Sequence, residues 1–234
     1  MIVPFRPQRR RPPARTVSLP APVGGWNARD ALAAMDKADA VQLQNLWPTT
    51  TDVMFRKGYT RFAYGLAAQV ETLMWYSSGT ANKLFAIEGS RAWNITAGGD
   101  FSAGSADITG LTNARWQYVN YTTSGGSFLL MVNGADKLRG YNGSTWYTDG
   151  DASHDITGVD TAAVIHINLH KNRIWLIQEE TLKAWYLPTS AIAGAAAALD
   201  LSAIAQLGGY LMSMYTWTID AGYGVDDLAV FITS

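Results

Sequence analysis

The tetrapeptide Asp107-Ile108-Thr109-Gly110 returns unchanged as Asp155-Ile156-Thr157-Gly158, 48 residues further on, and a degenerate third version, Asp200-Leu201-Ser202, follows after another 45. The segments between these copies share one pattern. An apolar strand (Leu73-Met74-Trp75-Tyr76; Trp116-Gln117-Tyr118-Val119; Val164-Ile165-His166-Ile167) leads into a hairpin, and a further short strand such as Ser144-Thr145-Trp146-Tyr147 closes the unit. The hairpins are predicted over residues 83–95, 128–141 and 173–186, with turns at Glu88-Gly89-Ser90, Asn133-Gly134 and Glu179-Glu180. A fourth unit opens with the strand at 212–217 and continues at 228–232. Its Val230 aligns with Phe85, Leu129 and Ile174 at spacings of 44, 45 and 56 residues.

Four strands in about 45 residues is the length of one β-propeller blade. The expected fold class is therefore all-β: a β-propeller-like arc of four-stranded blades over residues 69–234, three complete plus the start of a fourth. An irregular β-sandwich with chance similarity is the alternative. A closed propeller needs at least about four blades. Either the chain belongs to a longer product, or other subunits complete the sheet and cover the open edges.

Composition agrees with strands and turns. Twenty-two glycines, nine tryptophans and eleven tyrosines stand against four glutamates, a balance that favours pleated over helical structure. Apolar residues make up 48% and charged residues 16%, against roughly 25% charged in an average soluble domain, which excludes a mainly disordered chain. The longest apolar-rich run, 191–199, is interrupted by Gly194 and falls short of the ~20 residues of a membrane span, so no stable membrane insertion is expected. The chain has no cysteine. A disulfide framework, a thiolate metal site and cysteine catalysis are thereby excluded.

The net charge of −1 conceals two opposed regions. Arg6, Arg9, Arg10, Arg11, Arg15 and Arg29 all precede the first acidic residue, Asp30; from there on, 12 basic residues face 19 acidic ones. Six of the eight prolines lie in the same leader, where they favour extended backbone and remove donors. Residues 1–22 are predicted to form a basic arm that is either a solvated tail or a docking strap, with an acidic protein surface a better partner than nucleic acid. Residues 23–68 form a second zone, a docking segment. Gly24-Gly25-Trp26-Asn27 is a turn signal. Asp39 is placed to cap a short helix running through Ala40, Val41, Leu43 and Leu46 to Pro48, and residues 53–59 look like a strand entering a turn. Arg6, Arg9, Arg10, Arg11, Arg15, Trp26, Arg29 and Trp47 are the candidate partner-docking residues.

Chemistry-bearing motifs are sparse, and no catalytic residue and no cofactor are expected. His166 and His170 share a face of a predicted strand at about 13 Å, too far apart for one metal. No Gly-x-Ser-x-Gly and no phosphate-cradling loop is present. The acidic, glycine-rich stretches at Asp149-Gly150-Asp151 and Asp220 to Asp227 could offer oxygen ligands to calcium, with Asp220, Asp226 and Asp227 the weak candidates. Neither has the full calcium-loop spacing, and Asx turns account for them equally. A carboxylate pair for glycoside hydrolysis could be chosen from any 15 aspartates. Trp93, Trp146, Trp175 and Trp185 recur near strand ends, where packing between repeats outweighs sugar stacking.

The stretch Pro20-Ala-Pro-Val-Gly-Gly-Trp-Asn-Ala-Arg-Asp-Ala-Leu-Ala-Ala-Met35 resembles the opening of tail nozzle (tail tubular protein B-like) components of short-tailed bacteriophages. So do Asp39-Ala-Val-Gln-Leu-Gln-Asn-Leu-Trp-Pro48, Phe55-Arg-Lys-Gly-Tyr59, Leu111-Thr-Asn-Ala-Arg-Trp-Gln-Tyr118, Val132-Asn-Gly-Ala-Asp136 and the segments between Gly208 and Phe231. The resemblance spans most of residues 20–234 and leaves out the basic leader. It implies a propeller-bearing structural virion subunit of the phage tail, assembled as a homo-oligomeric ring, expected to be a hexamer. Such a ring would dock on the head-to-tail adaptor and other tail proteins and let DNA pass without binding it specifically. Family members usually run well past residue 234. A receptor- or glycan-binding propeller of a tail fibre or spike is the alternative.

Overall fold

The computed structural model describes residues 16–205, 207–220 and 225–234; Arg6, Arg9, Arg10, Arg11 and Arg15 lie outside them. The described residues form strands, with one 3-10 turn at Thr161–Ala163 and no α-helix. The chain divides into two units, Met1–Thr60 and Arg61–Ser234.

In the first unit, β1 (Gly25–Trp26) runs parallel to β2 (Asp39–Ala40), and β3 (Leu46–Pro48) pairs antiparallel with β4 (Val53–Phe55). The helix expected from Asp39 to Pro48 is not formed. The Asp39 carboxylate accepts from Asn27 Nδ2 at 2.7 Å instead of capping a helix. Asn45 takes a left-handed φ of 58°, and its carbonyl accepts from Arg56 N at 2.8 Å, closing the β3–β4 hairpin. A short helix holds only when its apolar stripe packs on something, and here Gly25 is the only buried residue among the described residues of this unit.

The second unit begins with β5 (Ala63–Tyr64), β6 (Val70–Ser77), β7 (Asn82–Glu88), β8 (Arg91–Asn94) and β9 (Gly99–Asp100). Strands β6-β7-β8 form an antiparallel sheet, extended by a bridge from Ala92 to Ile108 of the first tetrapeptide, while β5 pairs in parallel with β9. Next come β10 (Gln117–Thr123), β11 (Gly126–Val132), β12 (Arg139–Tyr141) and β13 (Trp146–Thr148), a four-stranded antiparallel sheet in chain order. The second tetrapeptide supplies β14 (Ile156–Thr157). It is followed by β15 (Val164–His170), β16 (Arg173–Gln178), β17 (Lys183–Tyr186), β18 (Gly194–Ala195) and β19 (Ala197–Asp200). Strands β15-β16-β17-β19 form the third sheet, and β14 pairs in parallel with β18. A long hairpin of β20 (Leu211–Asp220) and β21 (Val225–Thr233) completes the unit.

These sheets stack face against face. Alternation along each second strand sends side chains into two interfaces at once. On β11, Leu129 and Met131 join Met74, Tyr76, Phe85 and Ile87 of the preceding sheet. Phe128, Leu130 and Val132 join Ile167, Ile174 and Leu176 of the following one. On β16, Ile174 and Leu176 look back, while Ile177 meets Leu211 and Met214 of the last hairpin. The tetrapeptides sit in these gaps: Ile108 with Leu111 in the first, Ile156 with Val159 in the second. Equivalent hydrogen bonds tie neighbouring sheets. Tyr76 Oη donates to the Ser127 carbonyl at 3.2 Å and Tyr121 Oη to the Asn172 carbonyl at 2.7 Å, each spanning 51 residues. Two asparagines add bonds of opposite direction: Asn120 reaches back to the Trp75 carbonyl and Asn168 forward to that of Met214. Trp146, Trp175 and Trp185 pack against these cores, as the packing alternative for the recurring tryptophans expected, whereas Trp93 is buried in a separate core formed within residues 63–106.

The two tetrapeptide glycines separate backbone strain from crowding. Gly110 and Gly158 have φ of 77° and 94°. A Cβ on Gly110 would meet nothing within 4 Å, whereas one on Gly158 would lie 2.8 Å from the Ala196 carbonyl oxygen. Gly110→Ala is expected to cost about 1 kcal/mol from left-handed strain alone, and Gly158→Ala about 2–4 kcal/mol because the Ala196 backbone just after β18 must also move. Chemical denaturation of the two variants checks the order; equal losses would mean that the β14–β18 pairing gives way freely.

Candidate functional site

Asn27 organises the first unit. Its Oδ1 accepts from the backbone N–H of Arg29 and Asp30, an Asx turn, while its Nδ2 donates to Asp30 Oδ2 at 2.9 Å and Asp39 Oδ2 at 2.7 Å. Side-chain hydrogen bonding from Asn27, then from Arg29, holds the Asp30 carboxyl below its usual range. Arg29 Nε lies 3.0 Å from Asp30 Oδ1 with its side chain in solvent, where such a pair adds little stability. The Trp26 indole donates to the Val41 carbonyl at 3.1 Å. Polar contacts thus fix this backbone without an apolar interior.

Trp26, Arg29 and Trp47, docking candidates from the sequence, all stand at the surface, Trp26 at 69% and Trp47 at 67% exposure. Trp26 and Arg29 rim an open hollow of about 640 Å³ floored by Gly24, Asn27 and Asp39. Trp47 rims another, of about 250 Å³, with Met54, Phe55, Arg56 and Lys57. Leu32, Val41, Phe55 and Tyr59 are exposed as well. The adjoining Arg56 and Lys57 give the hollow beside Trp47 a basic edge.

The second unit does not assemble the weak calcium candidates into a site. Asp226 pairs with Ile219 and Asp227 with Thr218 on successive rungs of β20–β21, so these two carboxylates point to opposite faces. Asp226 lies 3.5 Å from Lys171 Nζ, and Asp227 accepts the Thr218 hydroxyl at 2.6 Å. Asp220 closes β20 opposite Val225. Among the described residues, no group of three or more His, Cys, Asp or Glu could hold a metal. Asp149 is structural: buried, it accepts from Ile156 N at 2.7 Å and the Thr161 hydroxyl at 2.6 Å, pinning the second tetrapeptide. No helix among the described residues is long and apolar enough to cross a membrane.

His166 and His170 lie on one strand, β15, as expected, and face the last hairpin, while His154 stacks on the Tyr147 ring. His166 Nε2 is 2.9 Å from the Met214 carbonyl, and His170 Nδ1 is 3.1 Å from Thr216 Oγ1. Asn27 and the buried Glu88 were not among the sequence candidates. Glu88 accepts from the Trp93 indole at 3.0 Å and from Ala68 N, and Gln178 accepts the Trp185 indole in the same manner. The sequence signal for this pair is a polar residue at or just past the end of the second strand every 45 residues, Glu88, Asn133 and Gln178, the middle one of which bonds Asp136 instead.

Two outcomes follow. Asn27→Ala removes four hydrogen bonds and should speed amide exchange at Arg29 and Asp30 by about 5–30-fold, the equivalent of 1–2 kcal/mol; unchanged exchange would show that Asn27 does not hold the turn. Burial lowers the His166 pKa more than its bond to the Met214 carbonyl raises it. The unfolded chain therefore takes up this proton near the ordinary value of 6.5 while the folded chain resists, and stability is lost as pH falls below that value. Melting between pH 7 and about 5.5 should fall less in His166→Gln, which keeps a donor for the carbonyl; an identical fall would assign the effect to other groups.

No family model, no curated protein and no solved structure matches this chain.

Proposed function

We propose that this chain is a structural, non-enzymatic protein of a phage tail: a ring-forming nozzle component that docks on the head-to-tail adaptor and surrounds part of the DNA ejection conduit. The observation that carries the reading is the first unit, which holds its shape by hydrogen bonds while Trp26, Trp47, Phe55 and Tyr59 stay exposed. A surface of that kind is suited to burial against neighbouring subunits. The resemblance of this segment to the openings of tail nozzle proteins gives those neighbours an identity, and the basic leader and Arg29 suit an acidic partner.

The sheets of Arg61–Ser234 are read as blades of a propeller-like arc. Stacked antiparallel sheets in chain order, inter-sheet hydrogen bonds repeating with the same 51-residue span and a repeat near 45 residues support this. From Asp30 onward acidic residues outnumber basic ones, 19 to 12. Such a body repels phosphates, a useful property in a conduit that must release its cargo.

The test is made on particles. Imaging should place identical copies in a ring, expected to be hexameric, at the tail below the adaptor. A protein lacking residues 1–19 should keep its fold and assemble several-fold less well, as should Trp47→Asp. Normal assembly of both variants would remove the docking role of this segment. An isolated monomer binding surface polysaccharide would favour a fibre or spike instead.

A further inference from the structure

The two ends of the stack are complementary halves of the interface that repeats inside it. In each interior gap, the earlier sheet contributes an aromatic residue from its first strand and bulky residues from its second: Tyr76 with Phe85 and Ile87, then Tyr121 with Phe128 and Leu130. The later sheet receives them between its second strand and the tetrapeptide loop before it: Ile108, Leu111 and Leu129, then Ile156, Val159 and Ile174.

At the last hairpin the donating half stands uncovered. Register puts Trp217 beside Leu228 and Ser213 beside Ile232 on one face, while Met214 beside Phe231 and Thr216 beside Ala229 occupy the other. Met214, Ala229 and Phe231 pack against the preceding sheet. Trp217, Leu228 and Ile232 are left in solvent, Trp217 at 63% exposure. At the first sheet the receiving half is only partly covered: Ala86, Trp93 and Ile95 form a small core with Ala63, Leu66, Val70, Leu84 and Phe101, and an apolar hollow stays open beside it. Leu66 from the loop after β5, Val70 and Leu73 of β6, Leu84 of β7 and Ile95 line an apolar hollow of about 420 Å³ with Phe62. Leu73 is 55% exposed, whereas Tyr118, 45 residues on, is packed against the sheet before it.

We propose that the outer face of the β20–β21 hairpin, led by Trp217, docks into the apolar hollow around Leu73 on the β6-β7-β8 sheet of a second copy of this chain, head to tail. The occupant is a second copy because the hairpin offers the side-chain pattern that fills the equivalent hollows within the stack, an aromatic on the first strand and aliphatics on the second. Contact between two different faces is heterologous: it propagates from copy to copy and closes only if the rotation allows. The inference rests on the stacking of the sheets and not on the virion reading.

The experiment is sedimentation analysis of the 234-residue chain and two variants, Trp217→Asp and Leu73→Asp, both at exposed positions, with circular dichroism to verify folding. The wild-type chain should sediment as a dimer or a longer series at about 100 µM, where a micromolar Kd is saturated. Each variant alone should be monomeric. Mixed one to one, they should regain a mass of two chains, because Trp217 of the Leu73→Asp chain still meets an intact hollow on its partner. A wild-type monomer at that concentration overturns the proposal. So does a self-association that Leu73→Asp leaves intact, which would mean hairpin-to-hairpin pairing, or one that the mixture fails to restore. These outcomes leave the tail assignment standing or falling on its own.

Discussion

The two four-stranded sheets of Arg61–Ser234 are apolar on both faces, and the rest of this unit follows from the need to cover both. The constraint is written in single strands: residues 128–132 are five consecutive large apolar side chains, all buried, divided by the pleat between two cores. An antiparallel sheet with one solvated face would alternate apolar with polar. A strand such as β11 cannot, so its sheet needs one neighbour in front and one behind. Burial at about 25 cal/mol per Å² then favours stacking over any arrangement that leaves one face wet.

The polar groups are arranged around that demand. Side chains that bond across the gaps, Tyr76, Tyr121, Asn120 and Asn168, reach backbone carbonyls of the adjacent sheet, so the stack is registered as well as glued. The indoles of Trp93 and Trp185 are satisfied by Glu88 and Gln178. Close approach does the rest: a Cβ on Gly140 would meet the Tyr147 ring at 2.1 Å, so the ring lies flat over the glycine across the strand pair, and burial pushes the Tyr147 phenol up. A low share of charged residues is the compositional form of the same constraint.

Much of this was legible in the sequence because the repeat is a matter of periodicity. Hairpin positions, the strand before each and the packing of Trp146, Trp175 and Trp185 between sheets all follow from a 45-residue unit with alternating strands. Within the tetrapeptide, Ile108 and Ile156 are buried while the aspartates and threonines are exposed, so the isoleucines do the packing and the glycines shape the turn. The short helix was not legible. Ala40, Val41, Leu43 and Leu46 have helical spacing, but spacing stabilises a helix only against a core, and Asp39 is taken by Asn27. The Asn27 network is legible only in part: its bonds to Arg29 and Asp30 belong to the turn signalled at residues 24–27, whereas Asp39 meets it through a chain reversal that no local pattern specifies.

The two units present one physical deficit in two forms. The first has apolar side chains and no core; the second has ample cores and two ends left partly uncovered. A small-molecule site would look different, with a few convergent polar groups in an enclosed pocket, whereas the hollows beside Trp26, Trp47 and Leu73 are broad and open. The uncovered surfaces also differ in kind. The first unit scatters aromatics around a polar hub, a surface that an unrelated partner could match by shape and charge. The ends of the stack carry the donating and receiving halves of a contact already made twice within the chain, and a surface so specific to its own repeat is best matched by another sheet of the same sequence.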